Sequence, residues 1–243
     1  MHRIISRDQL YVTVDLLIMT VEDGKLELLL SRRGMAPYEG CWALPGRFVG
    51  LDESAEGAAE SLMAEMLPVK GAFLEQLYTF TEVNRDPRGR VISAAYLAIV
   101  PWLRLEETLS RQDTPFRLFT PGWRDGLLRL NGRNGEILTA GDLAFDHGRI
   151  IETGLVRLQG KIDYTDIGFR FLNDPSAFSL SELQTVFEAV LGKEQDSSNF
   201  RRFILKRYEG SGRMAQTEQA ETNRRGRPAA LYRFSFGKQG VSP

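Results

Sequence analysis

The sequence predicts an α+β protein made of two parts. Residues 1–155 contain several apolar runs separated by turn-forming residues, which is the pattern of short strands, and one or two stretches with helical periodicity. The later residues have apolar side chains at helical spacing and end in an alternating run that is typical of a strand. Because 243 residues suffice for one large or two modest domains, we predict a first domain over residues 1–156 and a second over residues 157–243.

Charge is distributed unevenly along the chain. Residues 1–155 hold 17 basic and 22 acidic side chains, a net charge of −5, whereas residues 156–243 hold 14 and 10, a net charge of +4. This asymmetry predicts a basic module joined to an acidic one. Cys41 is the single cysteine, which excludes an internal disulfide and a cysteine-rich metal site.

The chain shows no pattern of a secretory signal or a membrane span. Its most apolar early run, YVTVDLLIMTV, is too short to cross a bilayer and contains Asp15. We therefore expect a cytoplasmic protein with no membrane partner.

The first predicted elements are two strands in a hairpin. Apolar runs at Tyr11–Val21 and Leu26–Leu30 flank Asp23 and Gly24, a pair that tolerates the positive φ angles of a tight hairpin turn. Two further strands are predicted in AFLEQLYTFTEV and RVISAAYLAIV, on either side of the turn-rich segment NRDPRGR.

Two helices are predicted in the first domain. The first extends over Ser54–Met66, capped by Asp52 or by Ser54 and stopped by Pro68, since the residue before a proline avoids helical ψ. The second lies in LAFDHGRIIETGLVRL, where Gly148 and Gly154 weaken it by ~1 kcal/mol each and could let it bend.

Three helices and a β-hairpin are predicted in the second domain. DYTDIGFRFL is a short helix, and SLSELQTVFEAVLG is a helix with a capping box formed by Ser179 and Glu182 and with Gly192 at its end. SSNFRRFILKR is a third helix capped by Asp196 or Ser197. Its predicted buried side consists of Phe200, Phe203 and Ile204.

The third helix and the hairpin after it form a basic region. Residues 197–238 contain 10 basic and 3 acidic side chains, a net charge of +7. A helix, a tight turn and a basic helix followed by a hairpin predict a winged helix-turn-helix that binds double-stranded DNA; the alternative is a solvated basic face on an accessory domain. The predicted DNA-binding residues are Asn199, Arg201, Arg202 and Lys206 on the helix and Arg224, Arg225 and Arg227 on the wing.

The segment GCWALPGRFVGLDESAEGAAESLMAEM resembles the Nudix hydrolase signature, Gly-x5-Glu-x7-Arg-Glu-x-x-Glu-Glu-x-Gly, and LEQLYTF, DPRGR and AYLAIVP resemble the flanking parts of its ADP-ribose-acting branch. The resemblance covers roughly residues 10–150 and implies a Nudix-like α/β/α sandwich. In that family, three helix glutamates at i, i+3 and i+4 hold the Mg²⁺ that activates water. The corresponding residues here are Leu62, Glu65 and Met66, so we predict no metal site, no cofactor and no catalytic residue.

The signature departs from the family pattern at other positions too. The first glutamate is kept as Glu53, whereas Arg47 replaces the first glycine. Arg85, Arg88 and Arg90 lie in the segment between two predicted strands. Arginine can hold a diphosphate through paired hydrogen bonds without cutting it, although Arg47 and these three arginines could also be solvated loop charges. The predicted ligand-binding residues are Arg47, Glu53, Glu65, Arg85 and Arg88.

The segments ELQTVFEAVLG, NFRR and GRPAALYRF resemble the C-terminal winged helix of the Nudix-related transcriptional regulators. One branch of that family controls NAD biosynthesis and responds to ADP-ribose, and another responds to sugars. The resemblance implies a homodimeric repressor that binds an operator and an effector, ADP-ribose or a related nucleotide sugar. Two alternatives remain: an active Nudix hydrolase of nucleoside diphosphate derivatives with a basic accessory domain, and an RNA-associated Nudix-like protein.

Overall fold

A mixed sheet of nine strands dominates the computed structural model, which describes residues 9–67, 72–110, 114–220 and 230–237, with the backbone alone at 219 and 220. The chain divides into two compact units. Most of it up to Arg157 forms the first unit, and Leu158 onward forms the second together with the short segments Val21–Leu26 and Pro101–Leu103. Within the described residues, no helix is long and apolar enough to cross a membrane.

Seven of the nine strands form one continuous hydrogen-bonded series, and two short strands pair with members of that series. The order of the sheet is β5-β6-β1-β2-β7-β8-β9, with β3 paired to β2 and β4 paired to β1. Strands β1 and β6 are parallel, from Leu10 opposite Arg90 to Met19 opposite Ile99. The strands are β1 (Leu10–Glu22), β2 (Lys25–Arg32), β3 (Trp42–Ala43), β4 (Gly46–Phe48), β5 (Phe73–Phe80), β6 (Arg90–Ile99), β7 (Phe116–Arg124), β8 (Leu127–Gly132) and β9 (Ile137–Thr139).

The predicted hairpin turn between β1 and β2 is confirmed. Asp23 has φ 47° and Gly24 has φ 73°, the two positive values that a type I′ turn needs. The predicted strands before and after residues 81–89 are also confirmed, as β5 and β6.

Three helices accompany the sheet: α1 (Ala55–Met66), α2 (Trp102–Leu109) and α3 (His147–Ile162). Helix α1 begins where predicted, since the Ser54 hydroxyl accepts a hydrogen bond from the Gly57 amide at 3.0 Å. Its buried residues are Ala58, Ala59, Leu62 and Met63. Strands and helices together confirm the predicted α+β class.

Helix α3 differs from its prediction in its start and in the role of its glycines. It begins at His147, because Leu143–Asp146 are not helical. A Cβ on Gly148 would lie 2.6 Å from the Cβ of Ala140, and a Cβ on Gly154 would lie 2.1 Å from Cδ2 of Leu17. Both glycines allow close packing, because a side chain at either position would collide with a neighbour. The expectation that they weaken or bend the helix stays a prediction.

The second unit contains the predicted winged helix. Its elements are a 3₁₀ helix (Ile167–Phe171), β10 (Phe178–Ser179), α4 (Leu180–Leu191), α5 (Ser197–Ile204), a π-helical turn (Leu205–Glu209), β11 (Met214–Ala220) and β12 (Ala230–Phe234). The three strands pair in the order β10-β12-β11. The segment DYTDIGFRFL thus forms a 3₁₀ helix, and the two-residue strand β10 was not predicted.

The predicted helix caps of this unit are confirmed. The Ser179 hydroxyl accepts from the Glu182 amide at 3.2 Å, and the Glu182 carboxylate accepts from the Ser179 amide at 2.7 Å. Gly192 ends α4 with φ 65°, and the Asp196 carboxylate caps α5.

Aromatic rings form the core of the second unit. The Phe169 ring stacks on Phe234 at 3.8 Å between ring centres and meets the edge of Tyr208 at 4.9 Å. The predicted buried side of α5 is right for Phe200 and Ile204 but wrong for Phe203, which is 37% exposed. Helix α5 is amphipathic over two turns only, and Phe203 lies at the margin of its apolar face.

Candidate functional site

A cavity of about 250 Å³ lies in the first unit and is lined by all three predicted ligand-binding arginines. Strand β1 contributes Thr13 and Asp15 to its wall, and β4 contributes Arg47 and Phe48. The remaining lining side chains come from the loop after β2, the β3–β4 connection, the β5–β6 connection, and the start of α3 with the residues just before it: Arg33, Met35, Leu44, Arg85, Asp86, Arg88, Phe145 and His147. The predicted residues Glu53 and Glu65 are not part of this lining.

Arg47 is held at the cavity by Glu53. Its Nη1 and Nη2 atoms donate to the two Glu53 oxygens at 2.8 and 2.7 Å, and the Gly50 amide donates to Glu53 Oε1 at 2.6 Å. The hydrogen bonds with Glu53 raise the pKa of Arg47, and the same bonds lower the pKa of Glu53. Glu65 is exposed on α1 and adds a weaker attraction to Arg47. The two glutamates therefore act on an arginine of the cavity wall.

Arg88 is held between a carboxylate and two aromatic rings. Its Nη2 donates to Asp86 at 2.7 Å, and its guanidinium lies 5.1 Å from the Phe48 ring centre and 5.5 Å from that of Phe145. Burial raises the pKa of Asp86, but the hydrogen bonds from Arg88 outweigh it and the pKa is lower than usual. This arrangement offers aromatic faces and a cation on one side of the cavity.

Arg85 belongs to a buried ionic network. Its Nε and Nη2 donate to the two Asp146 oxygens at 3.0 and 2.6 Å, and Nη2 lies 3.5 Å from Asp15. The Ser93 hydroxyl donates to the same Asp15 oxygen at 2.5 Å. Buried charges are tolerated when they are paired and hydrogen-bonded in this way, so Arg85 reaches the cavity with two of its nitrogens already engaged.

His147 completes the network in its neutral form. Its Nδ1 accepts a hydrogen bond from the Leu44 amide at 2.8 Å, so the proton lies on Nε2, 3.6 Å from Asp15 Oδ1. Burial lowers the pKa of His147. A Cβ on Gly46 would lie 2.2 Å from Asp15 Oδ1, so this glycine leaves the room that the carboxylate occupies.

The sequence interpretation missed several residues of this site. Asp15 carried a signal, since a carboxylate inside a long apolar strand must find partners when buried. Phe145 and His147 lie far from the Nudix-like segment in the sequence, Arg33 lies shortly before it, and only the fold brings the three together.

The positions that hold Mg²⁺ in the Nudix signature do not fit a metal here. Leu62 is buried, Met66 is half-buried, and Glu65 alone offers a carboxylate. Across the described ranges, no group of three or more histidine, cysteine, aspartate or glutamate side chains could hold a metal ion. The remaining cavity carboxylates are engaged with arginines.

The predicted DNA-binding residues on α5 and the turn after it are all exposed. Arg202 Nη2 donates to Asn199 Oδ1 at 2.7 Å, and Arg201 Nη2 donates to the Tyr232 hydroxyl at 3.3 Å. Lys206 lies in the π-helical turn. The predicted wing residues Arg224, Arg225 and Arg227 lie outside the described residues. Helix α5 and the turn after it thus present arginines, an amide and an ammonium group to solvent.

Comparisons with known proteins agree with this two-part organisation. A family model described as the NrtR DNA-binding winged helix domain matches residues 168–234. The ADPR responsive transcriptional repressor NtrR of Acinetobacter baylyi is 30% identical over 227 residues, which are 93% of this chain and 82% of that protein.

Solved structures show the same likeness. Shewanella oneidensis NrtR complexed with a 27mer DNA superimposes with a TM-score of 0.72 at 30% identity, covering 92% of this chain and 93% of that one. A MutT/nudix family protein from Enterococcus faecalis has a TM-score of 0.73 at 24% identity, covering 96% and 90%, and shows the shared fold. The chain therefore belongs to the NrtR family of Nudix-related transcriptional regulators.

Proposed function

We propose that this protein is an ADP-ribose-responsive repressor, in which the cavity of the first unit binds the effector and the second unit binds operator DNA. The observation that carries the proposal is the cavity itself, where arginines lie beside two aromatic rings. The name of the Acinetobacter baylyi relative supports ADP-ribose as the effector, and the DNA complex of the Shewanella oneidensis relative supports DNA as the partner.

The chemistry of the cavity suits a nucleoside diphosphate sugar. Guanidinium groups pair with phosphate oxygens, the rings of Phe48 and Phe145 offer faces for a base, and the Asp86 carboxylate can accept hydrogen bonds from sugar hydroxyls. In this proposal Arg47 and Arg88 contact the ligand. Glu53 and Glu65 act through Arg47, and Arg85 orders the cavity floor.

The proposal includes a sensor that does not hydrolyse its effector. Nudix chemistry requires carboxylates that bind Mg²⁺, and the corresponding helix positions Leu62 and Met66 carry apolar side chains. A sensor must release its ligand unchanged, and hydrolysis would destroy the signal. ADP-ribose should therefore survive incubation with protein and Mg²⁺, and turnover that Glu65→Gln abolishes would favour the hydrolase alternative.

The DNA-binding half of the proposal rests on α5 and the hairpin after it. Asn199, Arg201, Arg202 and Lys206 would contact DNA from the helix, and the arginines of residues 224–227 from the wing. Two winged helices reading a palindrome gain specificity that one cannot provide, so we propose a homodimer acting on chromosomal DNA in the cytoplasm. A sensor domain over residues 1–156 and a DNA-binding domain over 157–243 agree with the change of unit after Arg157.

The decisive experiment measures DNA affinity with and without ADP-ribose. The protein is titrated into a labelled duplex taken from upstream of its own gene, and ADP-ribose is then added to saturation, which calorimetry establishes independently. A repressor that is released by its effector should lose DNA affinity by roughly 5–150-fold, the usual range of coupling between two sites. A ligand with equal affinity for both states shifts nothing, so unchanged DNA affinity at saturation would exclude ADP-ribose as the effector.

A further inference from the structure

We infer that Arg33 binds the diphosphate in the effector cavity alongside Arg88, a role that rests on the proposed function and that the sequence interpretation did not assign. Arg33 lies in the loop between β2 and β3 and lines the cavity. The inference stands on three observations: the guanidinium is positioned in advance, it has no carboxylate partner, and it shares an aromatic ring with a second arginine.

The loop around Arg33 fixes the direction of its side chain. Arg33 Nε donates to the Pro37 carbonyl at 2.8 Å. The Arg33 amide and carbonyl are also bound, to the Cys41 carbonyl at 2.9 Å and the Gly40 amide at 2.8 Å. One edge of the guanidinium is therefore anchored while its terminal nitrogens remain for a ligand. A side chain ordered beforehand loses less entropy when the ligand binds.

The other arginines of the cavity differ from Arg33 in their charge balance. Arg47 pairs with Glu53, Arg88 with Asp86, and Arg85 with two aspartates. Arg33 forms no ion pair with any carboxylate in the part of the chain that the structure describes. It therefore brings to the cavity a positive charge that no direct ion pair among the described residues occupies, while Asp86 and Asp15 attract it from a greater distance.

Phe145 brings Arg33 and Arg88 close to each other. The guanidinium of Arg33 lies 4.8 Å from the ring centre of Phe145, and that of Arg88 lies 5.5 Å from it. Burial lowers the pKa of Arg33 and repulsion by Arg88 lowers it further, which together outweigh the attraction by Asp86 and Asp15. An anion bound between two like charges relieves their repulsion. A diphosphate, which carries negative charge on two adjacent groups, matches this pair better than a neutral sugar or nucleoside.

Arg32 provides a matched control next to Arg33 in the sequence. Its Nε donates to the Gly40 carbonyl at 2.9 Å, and its guanidinium lies 5.7 Å from the ring centre of Trp42. Both arginines thus anchor the same loop through Nε and lie over an aromatic ring. Only Arg33 is part of the cavity lining. A loss seen with Arg33→Gln and not with Arg32→Gln therefore reports on the cavity and not on the loop.

The experiment is calorimetric titration of ADP-ribose, and separately of inorganic diphosphate, into the full-length wild-type protein and the two glutamine variants. The Arg33→Gln variant loses charge-assisted hydrogen bonds to the phosphates, so its dissociation constant for ADP-ribose should be about 10–100-fold higher than that of the wild type. Diphosphate binding should fall in parallel, whereas Arg32→Gln should match the wild type. Arg33→Lys keeps the charge but loses the paired donors of the guanidinium, so its affinity should lie between those of the wild type and Arg33→Gln.

Each outcome decides one of the two proposals. ADP-ribose affinity of Arg33→Gln equal to that of the wild type would overturn the role of Arg33 and leave the proposed function intact. A wild-type protein that binds neither ADP-ribose nor diphosphate would overturn both. If thermal unfolding shows that Arg33→Gln is destabilised, Arg33→Lys and Arg32→Gln decide: equal losses in these two variants would overturn the inference, and a loss confined to Arg33→Lys would support it.

Discussion

Gly148 lies at the start of α3 in a position where the structure leaves no room for a side chain. A Cβ there would lie 2.6 Å from the Cβ, 2.9 Å from the Cα and 3.1 Å from the carbonyl oxygen of Ala140. Carbon atoms in contact prefer roughly 3.5–4.0 Å, and backbone atoms cannot rotate away. We therefore expect Gly148→Ala to force the helix and the Ala140 segment apart.

The expected loss of stability for Gly148→Ala follows from two opposing terms. Overpacking a well-packed site costs about 1–3 kcal/mol, while replacing glycine in a helix gains up to about 1 kcal/mol. The gain is smaller at the second helical residue, so a net loss of about 1–2 kcal/mol should lower the unfolding temperature by roughly 2–8 °C.

Gly160 on the same helix is the matched control for this measurement. Apart from the adjacent residues and the backbone of the helix itself, no described atom lies within 4 Å of the Cβ that alanine would add there. Gly160→Ala should therefore raise the unfolding temperature, because only the helix-propensity gain applies. Scanning calorimetry of both variants and the wild type tests the reasoning. An unfolding temperature of Gly148→Ala at or above that of the wild type would refute it and would restore the interpretation of Gly148 as a flexible point.

Two further changes test the DNA face and the buried network. Arg202→Ala should weaken operator binding and reduce the salt dependence by about one counterion, whereas Arg149→Ala, which removes an exposed arginine paired with Glu82, should leave both unchanged; equal effects in anisotropy titrations would contradict the assignment. Burial lowers the pKa of His147 from its ordinary value of 6.5, so below pH 6.5 the unfolded chain binds a proton that the folded protein does not. The free energy of unfolding should therefore fall by up to about 1.4 kcal/mol for each pH unit below 6.5. His147→Asn should remove this slope in urea unfolding, and a slope that persists would point to other groups.

Local chemistry explains why much of the fold could be predicted from the sequence. The hairpin at Asp23 and Gly24, the Ser54 cap of α1 and the capping box at Ser179 each depend on residues within four positions of one another. Such features need no knowledge of the rest of the chain. The winged helix was predictable for the same reason, since each helix cap, the apolar stripe of α4 and the basic residues of α5 depend only on residues within one element.

The candidate site could be predicted only in part, because its contacts join distant residues. Arg85 pairs with Asp146, 61 positions away, and Leu44 donates to His147, 103 positions away. Spacing along the chain contains no signal for such pairs. The packing role of the α3 glycines was not predicted for a related reason: helix propensity describes an isolated helix, whereas the cost of a side chain at Gly154 is set by Leu17 in another element.

The charge balance of the cavity accounts for how a Nudix-like fold can bind a diphosphate without the metal that hydrolases need. In a hydrolase, Mg²⁺ neutralises the phosphates and activates water at the same time. Here Leu62 and Met66 occupy the helix positions that correspond to metal ligands in the Nudix signature, so the proposed sensor takes its countercharge from side chains. Carboxylates of the chain itself engage Arg47, Arg85 and Arg88. In the proposed sensor, those ion pairs limit the net positive charge that a diphosphate meets, which favours reversible binding over tight retention.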